Sequence, residues 1–191
     1  MKYVLLILTI VGAMQCYSDI EIVRGETVAD ESSIKQLTLH CPPGHKVVGS
    51  GWSALDPTNA ILDGMINYSQ PSYDGSSWTF NASNHSSYST QWKLNSSISC
   101  MEQEKLDSDY IITGETELNR AKVKQFKLNC PVGKKVVSAG WAALDGSGSI
   151  IEGQVGYSMP DFRGEGWTVN VENTSAYTSL WRLQLKVICL E

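Results

Sequence analysis

Cys41-Pro42-Pro43-Gly44-His45-Lys46-Val47-Val48 returns almost unchanged as Cys130-Pro131-Val132-Gly133-Lys134-Lys135-Val136-Val137. The offset, 130 minus 41, is 89 residues. The same offset carries Gly51-Trp52 to Gly140-Trp141, Trp78 to Trp167, Trp92 to Trp181 and Cys100 to Cys189. From Cys41 to Cys100, 26 of 60 aligned positions are identical, and all six tryptophans fall into three equivalent pairs. A register held this long makes the chain a tandem repeat. The repeats run over 19–101 and 108–191, with a charged linker at 102–107. A linker that short keeps the two units close.

Inside each repeat the apolar residues alternate with polar ones. Trp181, Leu183, Leu185, Val187 and Cys189 are separated by Arg182, Gln184, Lys186 and Ile188. Trp78, Phe80 and Ala82 are separated by Thr79 and Asn81, and Leu37, Leu39 and Cys41 by Thr38 and His40. Period two is the signature of a strand with one face buried. Turn clusters such as Pro71-Ser72-Tyr73-Asp74-Gly75 punctuate the runs. No stretch shows a helical stripe. The expectation is an all-β chain of two antiparallel β-sandwich repeats, about 85 residues and six strands each. Every copy carries two cysteines in phase with its inward face, and of three connectivities the simplest is Cys41–Cys100 with Cys130–Cys189.

The first residues, Met1-Lys2 followed by an apolar run from Tyr3 to Val11, have the form of a secretory signal peptide, expected over 1–18. Cleavage near Ser18 removes Cys16 and leaves four cysteines as a closed set. Cleavage after Ala13 retains it, and a lipid-modified Cys16 is a third alternative. Disulfides and a leader agree on a secreted, extracellular protein. No later run approaches the ~20 apolar residues of a membrane span.

The net charge is −5: residues 18–102 carry −5, residues 107–191 carry −1, and Lys2 adds +1. Neither half has the basic excess that nucleic-acid binding uses. The lysines at 122, 124, 127, 134 and 135 are read as solvated strand edges. The histidines His40, His45 and His85 align with Asn129, Lys134 and Thr174, so none belongs to the plan of the repeat. No motif of a metalloprotease, a dithiol redox centre or a nucleophile elbow is present. No catalytic residue, metal or cofactor is expected. The repeated acids, Asp56 with Asp145 and Asp63 with Glu152, admit a glycosidase pair or a Ca²⁺ loop. The favoured reading of Asp56 and Asp145 is a turn-forming carboxylate that bonds its own loop.

The pattern Cys-Pro-x-Gly, Val-Val, Gly-Trp-x-Ala-Leu-Asp and a closing Cys resembles secreted Cys-to-Cys β modules. It is distantly similar to the resistin-like modules of the cysteine-rich domain of proprotein convertases. The residues that carry it are Cys41-Pro42, Val47-Val48-Gly49, Ser53-Ala54-Leu55 and Cys100, with their partners in the second repeat. The resemblance implies a small antiparallel sandwich, packing between modules, and protein recognition without catalysis.

Trp52 and Trp141, beside Gly51 and Gly140 in strands apolar on both faces, are read first as core, with a stacking platform for a sugar ring or a partner side chain as the alternative. Tyr73 and Phe162, on matching loops, are candidate interface anchors. The glycosylation motif Asn-x-Ser/Thr occurs at Asn67, Asn81, Asn84, Asn95 and Asn173, four times in the first repeat and once in the second. A glycan on Asn81 or Asn95 would cover the outer face of repeat one. The outer face of the last strand of repeat two offers Arg182, Lys186 and Ile188 as candidate partner contacts, and if that strand lies at a sheet edge its backbone could accept a strand from another molecule. The function expected is therefore an extracellular structural or recognition protein that contacts other proteins or itself. A carbohydrate-binding lectin is the alternative, and a secreted hydrolase the remote one.

Overall fold

The computed structural model describes residues 20–84, 91–175 and 180–191. The expected leader, Cys16 and His85 lie outside them. Twelve strands account for nearly all regular structure: β1 (Ile20–Glu26), β2 (Ile34–His40), β3 (His45–Leu55), β4 (Gly64–Pro71), β5 (Ser77–Asn84), β6 (Lys93–Glu102), β7 (Ile111–Glu115), β8 (Val123–Asn129), β9 (Lys135–Asp145), β10 (Gly153–Pro160), β11 (Gly166–Asn173) and β12 (Trp181–Leu190). One 3-10 turn, Gln103–Lys105, falls in the linker. All pairings are antiparallel.

The alternation seen in the sequence becomes burial. Trp181, Leu183, Leu185 and Val187 are fully buried along β12, as are Trp78, Phe80 and Ala82 along β5. The Cys-Pro-x-Gly segments are tight turns. His45 N–H donates to the Pro42 carbonyl at 3.0 Å, and Lys134 N–H to that of Pro131 at 3.1 Å. Gly44 and Gly133 sit there at φ +81° and +92°, the left-handed position that glycine fills without strain. Each turn puts its cysteine at the end of a strand in one layer, and the partner lies on a strand of the other layer. The disulfides are Cys41–Cys100 and Cys130–Cys189, each closing 59 residues.

The layers do not respect the repeat boundary. One layer is a continuous six-stranded sheet, β2-β5-β4-β9-β12-β7, with three strands from each repeat. The other is broken into two three-stranded sheets, β1-β6-β3 and β10-β11-β8. The first packs over the β2-β5-β4 half and the second over the β9-β12-β7 half. The two sandwiches expected from the repeat are therefore fused edge to edge, through Tyr68 opposite Ala142 and Ser69 opposite Trp141.

This fusion corrects the expectation that Lys186 and Ile188 face outward, and the condition that β12 lies at a sheet edge is not met. That strand runs between β9 and β7 and has no free edge over its paired length. Lys186 and Ile188 are buried, at 2% and 0% exposure. The mixed polar and apolar face of repeat two is a contact face, but the turn between β4 and β5 of repeat one lies on it. Lys186 Nζ donates to the Pro71 carbonyl at 2.8 Å and stands 3.7 Å from the Tyr73 ring centroid. Gln184 Nε2 reaches the Tyr73 hydroxyl at 3.5 Å, and Gln70 Nε2 donates to the Gln184 carbonyl at 3.4 Å.

Candidate functional site

The fusion has an unfinished half. The 89-residue offset maps β4 onto β10 and β9 onto β3. The joint β4–β9 in one layer therefore has an equivalent, β10–β3, in the other. That second joint is not made: β3 and β10 each end a sheet. Where they face each other, a cleft of about 950 Å³ opens between the repeats, lined by β3 and β4 on one side and β9 and β10 on the other. This is the upper part of the size range of small-ligand sites.

Tryptophans from both repeats line the cleft: Trp52 on β3, Trp141 on β9 and Trp167 on β11. The repeat makes Trp52 and Trp141 equivalent, but the fusion does not. Trp52 is 38% exposed and Trp141 only 4%. The pair Trp78 and Trp167 diverges in the same way. Each indole donates to a serine on the neighbouring strand, Trp78 to Ser69 Oγ at 2.9 Å and Trp167 to Ser158 Oγ at 2.8 Å. Ser69 has Trp141 of β9 opposite it, and Trp78 is fully buried. Ser158 has no strand on that side, and Trp167 is partly open.

Among the described residues the lining carries two carboxylates, Asp63 and Glu152, immediately before β4 and β10, and no lysine, arginine or histidine. The other repeated acids do something else. Asp56 Oδ1 accepts from Thr58 N–H, Thr58 Oγ1 and Ala60 N–H at 2.7–2.8 Å. Asp145 Oδ1 accepts from Ser147 N–H, Ser147 Oγ and Ser149 N–H at 2.6–2.9 Å. These bonds, led by the Thr58 and Ser147 hydroxyls, hold both carboxyls below the usual carboxylate range. Their lone pairs serve their own loops, which is what a turn-forming aspartate does. Among the described residues no group of three or more His, Cys, Asp or Glu side chains is placed to hold a metal ion.

The remaining candidates scatter. Tyr73 is 74% exposed although one face of its ring meets Lys186. Phe162 is 94% exposed and carries only the Arg163 guanidinium, 5.5 Å from its centroid. Arg182 is half-buried and pairs with Glu115 at 3.2 Å. Asn81, Asn84, Asn95 and Asn173 are partly exposed. Asn67 is not: it is 2% exposed in the bulge of β4, and its Nδ2 donates to Asn81 Oδ1 at 3.2 Å and Ser83 Oγ at 2.6 Å. The nitrogen that would carry a glycan is thus turned into the protein.

Sequence reading also missed a buried device in both repeats. Lys35 stands 5.3 Å from the Trp92 centroid and pairs with Asp30 at 2.6 Å. Lys124, expected on a solvated edge, is 6% exposed, 5.1 Å from the Trp181 centroid and bonded to Asn119 Oδ1 at 2.6 Å. Ammonium over indole gains electrostatic attraction in a place that water does not reach. The signal was available: Lys35 and Lys124 occupy equivalent positions at the buried phase of their strands.

Burial pushes the Lys186 ammonium from 10.5 down to about 8. Between pH 8 and 10.5 the unfolded chain therefore binds more protons at this residue than the folded one, so stability rises with pH across that window. The gain is absent below pH 8, where both states are protonated. Above pH 10 the buried phenols of Tyr68 and Tyr110, both pushed up by burial, act in the opposite sense. Urea denaturation from pH 7.5 to 9.5 should show stability rising, and Lys186→Met should flatten that rise. An unchanged slope in the variant would assign the effect elsewhere.

Comparison with family models, curated proteins and solved structures finds no match. The likeness to resistin-like modules rests on the sequence motifs alone. No helix among the described residues is long and apolar enough to cross a membrane.

Proposed function

We propose that this is an extracellular recognition protein, not a catalyst, and that it grips its partner in the cleft between the repeats. One observation carries the reading: where the β3 and β10 edges fail to join, the chain leaves two tryptophans partly open, while their repeat equivalents are buried. Half-open aromatic rings in a concave site supply large contact area at small entropic cost, and such residues dominate binding energies. The two disulfides agree with an oxidising compartment. The reading as a binder is supported by Asp56 and Asp145, whose carboxylates are tied into their own turns.

A carbohydrate is the second reading, favoured by the same tryptophans, whose faces also suit a sugar ring. The test is to screen the oxidised protein on a peptide array and a glycan array, alongside Trp52→Ala and Trp167→Ala. Binding to peptides that drops at least tenfold in both variants is expected. Binding to glycans with the same loss would select the lectin reading. Binding that neither variant alters would place the site outside the cleft and end the proposal.

A further inference from the structure

Resting on that cleft reading, we infer that the ligand is an extended segment of another protein, bearing lysine or arginine, which adds as a strand to β10 and seats its cationic side chain between Trp52 and Asp63.

The strand part follows from what the chain does with the equivalent edge. At β4 it adds β9 antiparallel, with Tyr68 and Ser69 opposite Ala142 and Trp141. Tyr157 and Ser158 of β10 stand at the positions of Tyr68 and Ser69. The outer edge of β10 has no strand, and Tyr157 and Met159 are exposed at 38% and 56%. The facing edge of β3 also has no neighbouring strand among the described residues, although Val47 N–H donates to the Gly75 carbonyl and the Ala54 carbonyl accepts from Leu62 near its ends. An unpaired edge presents a row of backbone donors and acceptors that an extended peptide satisfies. A sugar would use the rings and leave this row unanswered.

The charge part follows from the lining. Asp63 and Glu152 are its only charged residues, and neither has an ion-pair partner among the described residues. The edge of the Trp52 ring lies 3.6 Å from where a Cβ on Gly64 would stand, so the indole is next to the backbone that carries Asp63. Elsewhere the chain completes this combination itself, with Asp30 and Trp92 holding Lys35. In the cleft the tryptophan and the acid are present, and the cation is what a ligand brings. An acidic segment would meet two uncompensated carboxylates.

The test uses the full oxidised chain and three synthetic heptapeptides of alternating valine, with lysine, glutamate or threonine at the other positions. Titration is followed by calorimetry and tryptophan fluorescence, and amide hydrogen exchange is read over 153–160. The expected result is binding of the lysine peptide alone, with slowed exchange along β10. Asp63→Asn combined with Glu152→Gln, both exposed and close to isosteric, should leave the melting temperature unchanged and weaken binding at least tenfold. Equal binding of the threonine or glutamate peptide would overturn the charge assignment, as would a double variant that binds like wild type. Unchanged exchange at the β10 amides that do not bond to β11, or protection of those amides before any ligand is added, would overturn the strand assignment. A neutral oligosaccharide that quenches fluorescence when no peptide does would overturn this inference and leave the cleft standing as a binding site. Failure of every probe to reach the cleft would remove both.

Discussion

Gly140→Val is expected to part the two repeats while leaving each of them folded, and Gly51→Val, the same change at the equivalent position, is expected to do almost nothing. A Cβ on Gly140 would stand 2.7 Å from Gln70 Cα and 3.0 Å from Pro71 Cδ, and closer still to the Ser69 carbonyl oxygen. These are backbone and ring atoms of β4, which cannot turn aside as a flexible side chain does. Overpacking a core that can adjust costs about 1–3 kcal/mol. Here the strain is relieved by separating β4 from β9. At Gly51 the nearest atom is Ser97 Oγ at 3.7 Å, an ordinary contact. The readouts are faster amide exchange at Tyr68 and Ser69 and a red shift of fluorescence as Trp141 becomes wet. Both should appear in Gly140→Val and neither in Gly51→Val. Equal behaviour of the two variants would mean that the joint does not hold the repeats together.

That contrast also shows what the sequence could and could not say. The strands, their inward faces and the two disulfides were legible, because period-two alternation and the 89-residue register are local or nearly local signals. The fusion was not, because both repeats carry the same edges and alternation does not say which edge meets which. Its trace lies in where the copies differ. Ser97 and Ser99 of β6 become Lys186 and Ile188 of β12, and Gln70 becomes Met159. Lys186 and Gln70 are buried where the repeats meet and Ile188 is buried on the same strand as Lys186, whereas Met159 is exposed. In the sequence, Lys186 and Ile188 suggest an outward binding face. In the structure Lys186 lies instead on the face that repeat one covers. Asn67 was misjudged for a related reason: it occupies the bulge between Ile66 and Tyr68, where strict alternation fails.

The second large effect concerns the disulfides and whether the fused sheet makes the repeats one folding unit. Converting Cys130 and Cys189 to alanine together releases a constraint spanning 59 residues. In the chain-entropy model such a cross-link contributes ~4 kcal/mol by restricting the unfolded chain. Cys41 and Cys100 close a span of the same length, so the loss should be similar in either repeat. What differs between the two structural accounts is the shape of the transition. If the repeats were independent sandwiches, removing Cys130–Cys189 would lower one melting step and leave the other in place. In the fused protein, unfolding repeat two strips β9 from β4 and uncovers Gln70, which is 2% exposed. It also leaves Ser69, which accepts the Trp78 indole N–H, without the strand opposite it. Repeat one then loses stability with its neighbour, and a single cooperative transition should fall by the whole amount for either pair. Urea denaturation followed separately by tryptophan fluorescence and far-UV circular dichroism decides between them. Coincident curves that shift together in both double variants are expected. Adding Gly140→Val to Cys130→Ala/Cys189→Ala should split the transition, with repeat one melting on its own. Two separate steps already in the wild type would show that the shared sheet couples nothing.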